Sequence, residues 1–228
     1  MRVTEIFKSI QGEGKRAGQV SMFVRLAGCD LRCWWCDTPY ALKKTQGKEM
    51  NPAKIIAKVG EYNCDAVVVT GGEPLIWPET PTLLHEFKEQ GKYLTLETNA
   101  TQYRPVECDL VSISPKLASA ISEKPEHAGH IAGHERAWLN LEAIQSFIDN
   151  HKVQIKFVVG REQDIDEVEE VLGKLTRIER SEVMLMPQAR TKQEYRRRAP
   201  QVAQMCIERN FSFSPRLQIE FWGKQRGK

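Results

Sequence analysis

Three cysteines lie close together near the start of the chain. They occur in the string Gly28-Cys29-Asp30-Leu31-Arg32-Cys33-Trp34-Trp35-Cys36-Asp37, with the spacing Cys-x3-Cys-x2-Cys. A structural zinc site usually has four ligands in two pairs, whereas a 4Fe-4S cubane held by three thiolates keeps one iron open to a small molecule. The spacing therefore favours an iron–sulfur cluster with an open iron. A tight loop of free thiols, or a zinc site completed by a distant histidine, is the alternative.

The remaining cysteines do not share this spacing. They are scattered singly along the chain, at Cys64, Cys108 and Cys206. Lone cysteines are more often small buried apolar residues than ligands. We therefore expect them to take no part in the cluster.

A second candidate motif, Thr70-Gly71-Gly72-Glu73-Pro74, follows the most apolar predicted strand. Adjacent glycines let a ligand approach the backbone closely, although a plain Gly-Gly turn has the same composition. Polar residues also follow three later strands, in Glu97-Thr98-Asn99, Ser114-Pro115-Lys116 and Pro187-Gln188. Because parallel strands end at one edge of a sheet, we expect these residues to line one ligand site.

Alternating strands and helices must position these motifs. Asn51-Pro52 predicts the capped start of a helix that ends at Gly60. Periodicity predicts further helices over residues 80–91, 136–149, 164–175 and 199–209. Strands are predicted over residues 3–7, 20–26, 65–70, 93–97, 110–114, 152–159, 183–186 and 216–222. Residues 117–135 fit neither pattern, and they are predicted to form a polar loop or lid, although their histidines could bind metal: His127, His130 and His134.

This alternation predicts an α/β fold with a mainly parallel sheet. About six core strands are too few for a complete eight-stranded barrel, so a partial, incomplete TIM-like barrel is expected. A chain of 228 residues suits a single domain, residues 1–228.

The bulk composition limits the possible partners. Apolar residues make up 41% and charged residues 28%, as in ordinary globular proteins, and the net charge of +3 is too small to indicate nucleic acid. The basic residues from Arg190 to Arg198 indicate a solvated helix face more than an anion site. No apolar run reaches the roughly 18 residues of a membrane span, and no secretory signal is recognised. A cytoplasmic location with reduced cysteines is expected.

The cysteine string and the Gly-Gly-Glu motif closely resemble those of the radical S-adenosylmethionine (SAM) superfamily. The resemblance implies a radical SAM core in which Cys29, Cys33 and Cys36 hold a 4Fe-4S cluster. It also implies that SAM chelates the open iron and is cleaved to a 5′-deoxyadenosyl radical. The SAM-binding residues implied by matching motifs are Trp35, Cys36, Asp37, Gly71, Gly72, Glu73, Asn99, Ser114, Pro115, Lys116 and Gln188.

Two further strings narrow the resemblance to one family. Ile10-Gln11-Gly12-Glu13-Gly14 precedes Arg25, and Asp37-Thr38 follows the third cysteine. This combination resembles the 7-carboxy-7-deazaguanine synthase family of queuosine biosynthesis, over roughly half of the chain. That family converts 6-carboxy-5,6,7,8-tetrahydropterin to 7-carboxy-7-deazaguanine with loss of ammonia. The resemblance implies substrate binding by Ile10, Gln11, Gly12, Glu13, Arg25 and Thr70.

The same resemblance implies the remaining components. Thr38 would be a ligand of Mg²⁺, and Arg25 would pair with the substrate carboxylate. A flavodoxin- or ferredoxin-type protein would donate the electron, and the enzyme would be a homodimer. No catalytic side chain beyond the cofactor-derived radical is implied.

Two other functions remain as alternatives. The first is a radical SAM enzyme that activates a glycyl-radical protein, which would leave the Gln11–Gly14 string without a role. The second is a zinc-stabilised RNA-binding module that uses the late basic residues.

Overall fold

A computed structural model describes residues 1–121 and 138–228 of the chain. Within them the strands form one sheet in the order β3-β1-β2-β4-β5-β6-β7-β8-β9. The strands are β1 (Arg2–Ile10), β2 (Val20–Leu26), β3 (Lys48–Glu49), β4 (Ala66–Gly71), β5 (Tyr93–Thr98), β6 (Leu110–Ile113), β7 (Val153–Val159), β8 (Val183–Pro187) and β9 (Ser212–Phe213). The α-helices are α1 (Pro52–Gly60), α2 (Thr80–Glu89), α3 (Ala118–Ile121), α4 (Leu141–Asn150), α5 (Gln163–Leu172), α6 (Lys192–Arg209) and α7 (Leu217–Trp222).

The sheet is mainly parallel and open. Within the described residues, every neighbouring pair from β2 to β9 is parallel, and only the β3–β1 and β1–β2 pairs are antiparallel. The two outermost strands, β3 and β9, do not pair with each other, so the barrel is not closed. The predicted partial barrel is thus confirmed. All its parallel strands end at one edge, where the polar motifs were expected to meet.

The two faces of the sheet have different chemistry because side chains alternate along each strand. On β7, Ile155 and Phe157 are fully buried in the main hydrophobic core, while Lys156 between them lines a cavity. On β2, Val24 and Leu26 lie in the core and Arg25 lines the same cavity. The helices cover the apolar face, and the polar face is left for a ligand.

Side-chain caps mark the starts of three described helices, α1, α4 and α6. The Asn51 side chain accepts a hydrogen bond from the Lys54 N–H at the start of α1, as the sequence predicts. Helix α6 begins at Lys192, whereas the sequence predicted a start at residue 199, beside Pro200. The actual start is a capping box in which Thr191 and Glu194 each accept a backbone N–H bond. The proline lies inside the helix.

Two further predictions of secondary structure differ from the structure in the described residues. Residues 216–222 were predicted as a strand, but Leu217–Trp222 is helix α7. Pro215 has no N–H to continue a ladder, and the short β9 already occupies the edge beside β8. Helix α4 begins only after its cap at Asn140, so residues 138–140 of the predicted helix are not helical.

The predicted loop over residues 117–135 is described only at its start. Ala118–Ile121 there is a short helix rather than loop. The rest of that segment, including the three histidines, lies outside the described residues.

Among residues 1–121 and 138–228 there is no helix whose length and apolar character would let it cross a bilayer.

Candidate active site

One cavity of about 730 Å³ lies at the carboxyl ends of the parallel strands. A volume of several hundred cubic ångströms is typical of small-molecule and cofactor sites. The structure brings most of the predicted site residues to its wall: Ile10, Gln11, Gly12, Glu13, Arg25, Cys29, Cys33, Trp35, Cys36, Asp37, Thr38, Thr70, Gly71, Gly72, Asn99, Ser114 and Lys116. Three predicted residues do not line it: Glu73, Pro115 and Gln188.

The cysteine loop forms one side of the cavity. Its three thiols are partly buried and free. Burial raises the pKa of Cys29 to about 12, and it also raises the pKa of Cys33 and Cys36. Protonated thiols are therefore the resting form, and a metal must displace their protons to bind. The Cys29 sulfur also accepts a bond from the Leu31 N–H at 3.4 Å.

These thiols suit a cluster better than a single ion. Within residues 1–121 and 138–228, no three histidine, cysteine or acidic side chains gather around one point closely enough to hold one metal ion. In a cubane each thiolate binds a different iron, and Cys29, Cys33 and Cys36 all line the same cavity. Cys64, Cys108 and Cys206 do not line the cavity.

The Gly-Gly-Glu loop is bound to the cysteine loop through the backbone. The Glu73 N–H donates to the Gly28 carbonyl at 2.7 Å. The buried Glu73 carboxylate accepts bonds from the Leu75 N–H at 3.0 Å, the Asn99 N–H at 2.7 Å and the Thr98 hydroxyl at 2.9 Å. Burial raises the pKa of Glu73 to about 7, although these hydrogen bonds lower it. Glu73 thus joins the two loops instead of facing a ligand.

Asn99 and Lys116 continue this part of the wall. Nδ2 of Asn99 donates to Oδ1 of Asp30 at 3.0 Å, and Nζ of Lys116 donates to Oγ of Ser114 at 2.7 Å. Trp35 is buried against Val158 and Met186, which gives this end an apolar surface. Gln188 is buried behind the wall.

A network of charges forms another part of the cavity wall. The Glu13 carboxylate contacts Nζ of Lys156 at 2.8 Å, Nε of Arg216 at 3.3 Å and Nε2 of Gln218 at 2.7 Å. Burial raises the pKa of Glu13, but the two cations outweigh it and hold the pKa at about 2. Arg216 also pairs with Asp37 and donates to the Ala189 carbonyl at 2.6 Å.

Glu97 connects this network with two predicted substrate residues. Its Oε1 accepts a bond from Nε2 of Gln11 at 3.1 Å, and its Oε2 accepts one from the Thr70 hydroxyl at 2.8 Å. Lys156 Nζ is 3.6 Å from the same carboxylate. Acceptor oxygens of Glu13 and Glu97 therefore dominate this part of the wall.

Arg25 forms an ion pair within the cavity wall. Its Nε lies 3.1 Å from a Glu5 oxygen. That carboxylate also accepts the Tyr40 hydroxyl at 2.8 Å and Nε of Arg226 at 3.1 Å. Because Glu5 has two other donors, Arg25 can turn to a ligand without leaving a buried carboxylate unpaired.

Thr38 stands between the cluster loop and the open cavity. It precedes the short 3-10 turn Pro39–Ala41, but its side chain makes no capping hydrogen bond there. Its hydroxyl lies 3.7 Å from the Cys36 sulfur. This contact is a hydrogen bond in which either atom could be the donor, and Thr38 also lines the cavity.

Comparisons with known proteins agree with this geometry. The model of the radical SAM superfamily matches residues 24–175. The 7-carboxy-7-deazaguanine synthase of Halobacterium salinarum is 37% identical, with 96% of this chain and 90% of that protein covered. The enzyme of the same name from Pyrobaculum aerophilum is 36% identical over 100% of this chain and 97% of that protein. The chain belongs to the 7-carboxy-7-deazaguanine synthase family.

A solved structure agrees with this family assignment. The crystal structure of QueE from Escherichia coli is 26% identical, with a TM-score of 0.69 and coverage of 93% of this chain and 92% of that one. Because these synthases belong to the radical SAM superfamily, membership of the family implies that a 4Fe-4S cluster and SAM are the cofactors. Membership of this family decides against the glycyl-radical activating enzyme and the zinc-stabilised RNA-binding module.

Sequence reasoning missed part of the synthase cavity. It did not single out Lys156, Arg216 or Gln218, which all contact Glu13. A signal for Lys156 existed, because it is a lone charge in an apolar strand, as Arg25 is. No such signal marked Arg216 or Gln218, which fell in the segment wrongly predicted as a strand.

The close approach of the two cofactor loops predicts that Gly72→Ala impairs SAM binding. A Cβ on Gly72 would lie 2.1 Å from the Gly28 carbonyl oxygen and 2.9 Å from the Cys29 Cβ. The cluster loop must therefore shift, and overpacking of this kind costs about 1–3 kcal/mol. We expect roughly tenfold weaker SAM binding, measured by anaerobic equilibrium dialysis on the reconstituted protein.

Gly60→Ala is the matched control for that variant. Gly60 lies at the end of α1, and an added Cβ there meets nothing within 4 Å. Its SAM affinity should equal that of the wild type. Equal affinities for Gly72→Ala and Gly60→Ala would contradict the assignment of the Gly71-Gly72 turn to the cofactor.

Proposed function

We propose that this chain converts 6-carboxy-5,6,7,8-tetrahydropterin to 7-carboxy-7-deazaguanine and ammonia, in queuosine biosynthesis. The observation that carries the proposal is that one cavity joins the three cysteines to the Gln11–Glu13 loop and Arg25. The substrate formula equals product plus ammonia, so the conversion needs no net oxidant. The family membership reported above supports the same reaction.

Cys29, Cys33 and Cys36 would hold the cluster, with SAM on its open iron. When bound, these groups supply a 5′-deoxyadenosyl radical that removes a hydrogen atom from the substrate ring. The backbone at Gly71-Gly72 and the polar groups of Asn99 and Lys116 would hold the methionine and ribose of SAM. Trp35 offers an apolar surface for the adenine. Gln188 and Pro115 are buried and do not line the cavity, so they would act from behind this wall. Asp37 pairs with Arg216 and would fix its edge.

The substrate end of the cavity binds the pterin by complementary hydrogen bonding. The 2-amino-4-oxo edge of a pterin presents N–H donors, and the carboxylates of Glu13 and Glu97 present acceptors. Gln11 and Thr70 are fixed on Glu97, which sets where their remaining polar atoms point. Ile10 and Gly12 supply backbone and apolar contact beside them. Arg25, which is in register with Thr70 on the neighbouring strand, can pair with the substrate carboxylate through its planar guanidinium.

We propose that Mg²⁺ binds at Thr38 together with substrate. A hydroxyl is a weak ligand, and Mg²⁺ usually combines few protein ligands with water and substrate oxygens. The Thr38 hydroxyl makes no capping bond and shares a hydrogen bond with the Cys36 sulfur, so it lies beside the cluster loop, which supports this placement. The metal would orient the substrate and neutralise developing charge.

Thr38→Ala is therefore expected to raise the Mg²⁺ concentration needed for half-maximal turnover by roughly tenfold, the loss of one ligand oxygen. Thr38→Ser keeps that oxygen and should keep most of the activity. Cluster content and SAM affinity should not change in either variant. A normal Mg²⁺ dependence in Thr38→Ala, or tight Mg²⁺ binding without substrate, would place the metal elsewhere.

The reaction itself is tested by anaerobic incubation of reconstituted enzyme with reductant, SAM, Mg²⁺ and the carboxytetrahydropterin. Mass spectrometry should find 7-carboxy-7-deazaguanine, and an ammonia assay should find one equivalent per product. Reactions without SAM or without reductant are the controls. Cleavage of SAM without any loss of ammonia from the pterin would reject this substrate.

We also propose an electron donor, an oligomeric state, a domain organisation and a cellular location. A flavodoxin- or ferredoxin-type donor, a homodimer and a single domain over residues 1–228 are supported by the family resemblance. A cytoplasmic location is supported by the free thiols that such a cluster requires.

A further inference from the structure

Lys156 is a buried cation that the proposed reaction does not yet use. Its side chain is 3% exposed and lies on the cavity face of β7. Burial lowers the pKa of Lys156, but Glu13 and Glu97 outweigh it and raise the pKa above its usual value. The side chain is therefore a permanent positive charge inside the substrate end of the site.

The ammonium bridges two carboxylates from different parts of the fold. Glu13 follows β1 and lies 2.8 Å away, while Glu97 belongs to β5 and lies 3.6 Å away. Their side chains are 14% and 22% exposed, so little water reaches them. Without a cation between them, two such carboxylates repel each other, which disfavours the state in which both are charged.

The other charged groups around Lys156 do not replace it. Arg216, which precedes α7, contacts Glu13 at 3.3 Å but is shared with Asp37. Farther along the wall, Lys116 is held by Ser114, and Arg25 is held by Glu5. For Glu97 the described ion pairs include no cation other than Lys156. Removing the charge of Lys156 should therefore leave Glu97, rather than Glu13, without a paired cation.

Protonation would change what the site recognises. An ionised carboxylate only accepts hydrogen bonds, whereas a protonated one also donates. A donor facing the N–H groups of a pterin edge would lose one hydrogen bond and add a repulsive contact. Substrate recognition thus requires both carboxylates in their charged form.

We propose that Lys156 is a positioning residue that selects for a ligand edge rich in N–H donors, because it keeps Glu13 and Glu97 ionised together. This inference rests on the proposed function of the cavity. In this role Lys156 determines which edge of the substrate is bound, and it need not take part in the radical chemistry.

The test compares binding of 6-carboxypterin, a stable fluorescent relative of the substrate, to wild type and Lys156→Met. Both proteins are loaded with cluster and SAM, and the dissociation constants are compared as a ratio at each pH, so that titration of the ligand cancels. We expect Lys156→Met to bind at least tenfold more weakly at about pH 6 and within roughly threefold of wild type at about pH 9, because the carboxylate regains its charge as the pH rises. SAM affinity should not change. Lys174→Met, on the surface just after α5, is the control, and its ratio should stay near one at every pH.

Each outcome separates the hypotheses. If wild type does not bind the pterin, the proposed function is wrong. If wild type binds but the ratio for Lys156→Met does not vary with pH, the role of Lys156 is wrong. The double variant Lys156→Met, Glu97→Gln loses one positive and one negative charge, so the net charge of the site is unchanged. It replaces the single variant in the binding test if the single variant does not fold. Its ratio should be independent of pH, and a ratio that falls as pH rises would overturn the inference.

Discussion

Cys33→Ala is expected to abolish turnover and to lower the iron content of the reconstituted protein roughly tenfold or more, because two thiolates cannot hold a cubane that already has one open iron. The same result is expected for Cys29→Ala and Cys36→Ala. All three sulfurs line the cavity, and no described side chain offers a replacement ligand set. Iron and sulfide per chain, with the visible absorption at about 400 nm, measure the loss.

The scattered cysteines provide controls in the same protein. Cys64 and Cys206 are buried in the main core, away from the cavity. Cys64→Ala and Cys206→Ala should keep a full cluster, although each leaves a small void that lowers stability. Loss of the cluster in Cys64→Ala, with its retention in Cys33→Ala, would show that the ligands belong to a different part of the chain.

Arg25→Ala is expected to weaken substrate binding by about 2–4 kcal/mol, or roughly 30- to 1,000-fold. The guanidinium is 16% exposed and faces the cavity, so a carboxylate paired with it would be largely shielded from water. SAM affinity should be unchanged, because Arg25 is not among the residues proposed to bind SAM. Titration with 6-carboxypterin and with unsubstituted pterin separates the effect on the carboxylate from the effect on the ring. Only the carboxylated ligand should lose affinity.

Arg226→Ala distinguishes this role from a structural one. Arg226 contacts the same Glu5 carboxylate at 3.1 Å, yet its side chain is 57% exposed. If Arg25 served only to pair with Glu5, both variants would behave alike. We expect Arg226→Ala to bind the carboxypterin nearly as wild type does, and equal losses in the two variants would reject the ligand role of Arg25.

The candidate site could be predicted where its chemistry is local in sequence. Cys29, Cys33 and Cys36 fall within a short string, and Gly71-Gly72 follows a strand directly, so spacing alone identified them. Lys156 and Arg216 are different, because their role depends on Glu13, which is 143 and 203 residues away. Such contacts arise from the order of strands in the sheet. Spacing along the chain does not contain that information.

The fold also has parts that the sequence predicts and parts that it does not. The buried parallel strands were predictable because short continuous apolar runs such as Ala66–Gly71 are typical of strands covered on both faces. Residues 216–222 misled the prediction because Leu217, Ile219 and Phe221 alternate as in a strand, although only Ile219 is buried. Short segments cannot establish a period, and the neighbouring Pro215 and the occupied sheet edge decided the outcome.

The separation of the cysteine loop from the main hydrophobic core has a consequence for maturation of the protein. None of Cys29, Cys33 and Cys36 belongs to the large set of buried side chains that packs the sheet against its helices. In small zinc modules the metal supplies most of the folding free energy, so that the apo form is unfolded. Here the free energy of folding comes from apolar burial elsewhere. The chain can therefore fold first and receive its iron and sulfide afterwards, through a loop that stays partly accessible to solvent.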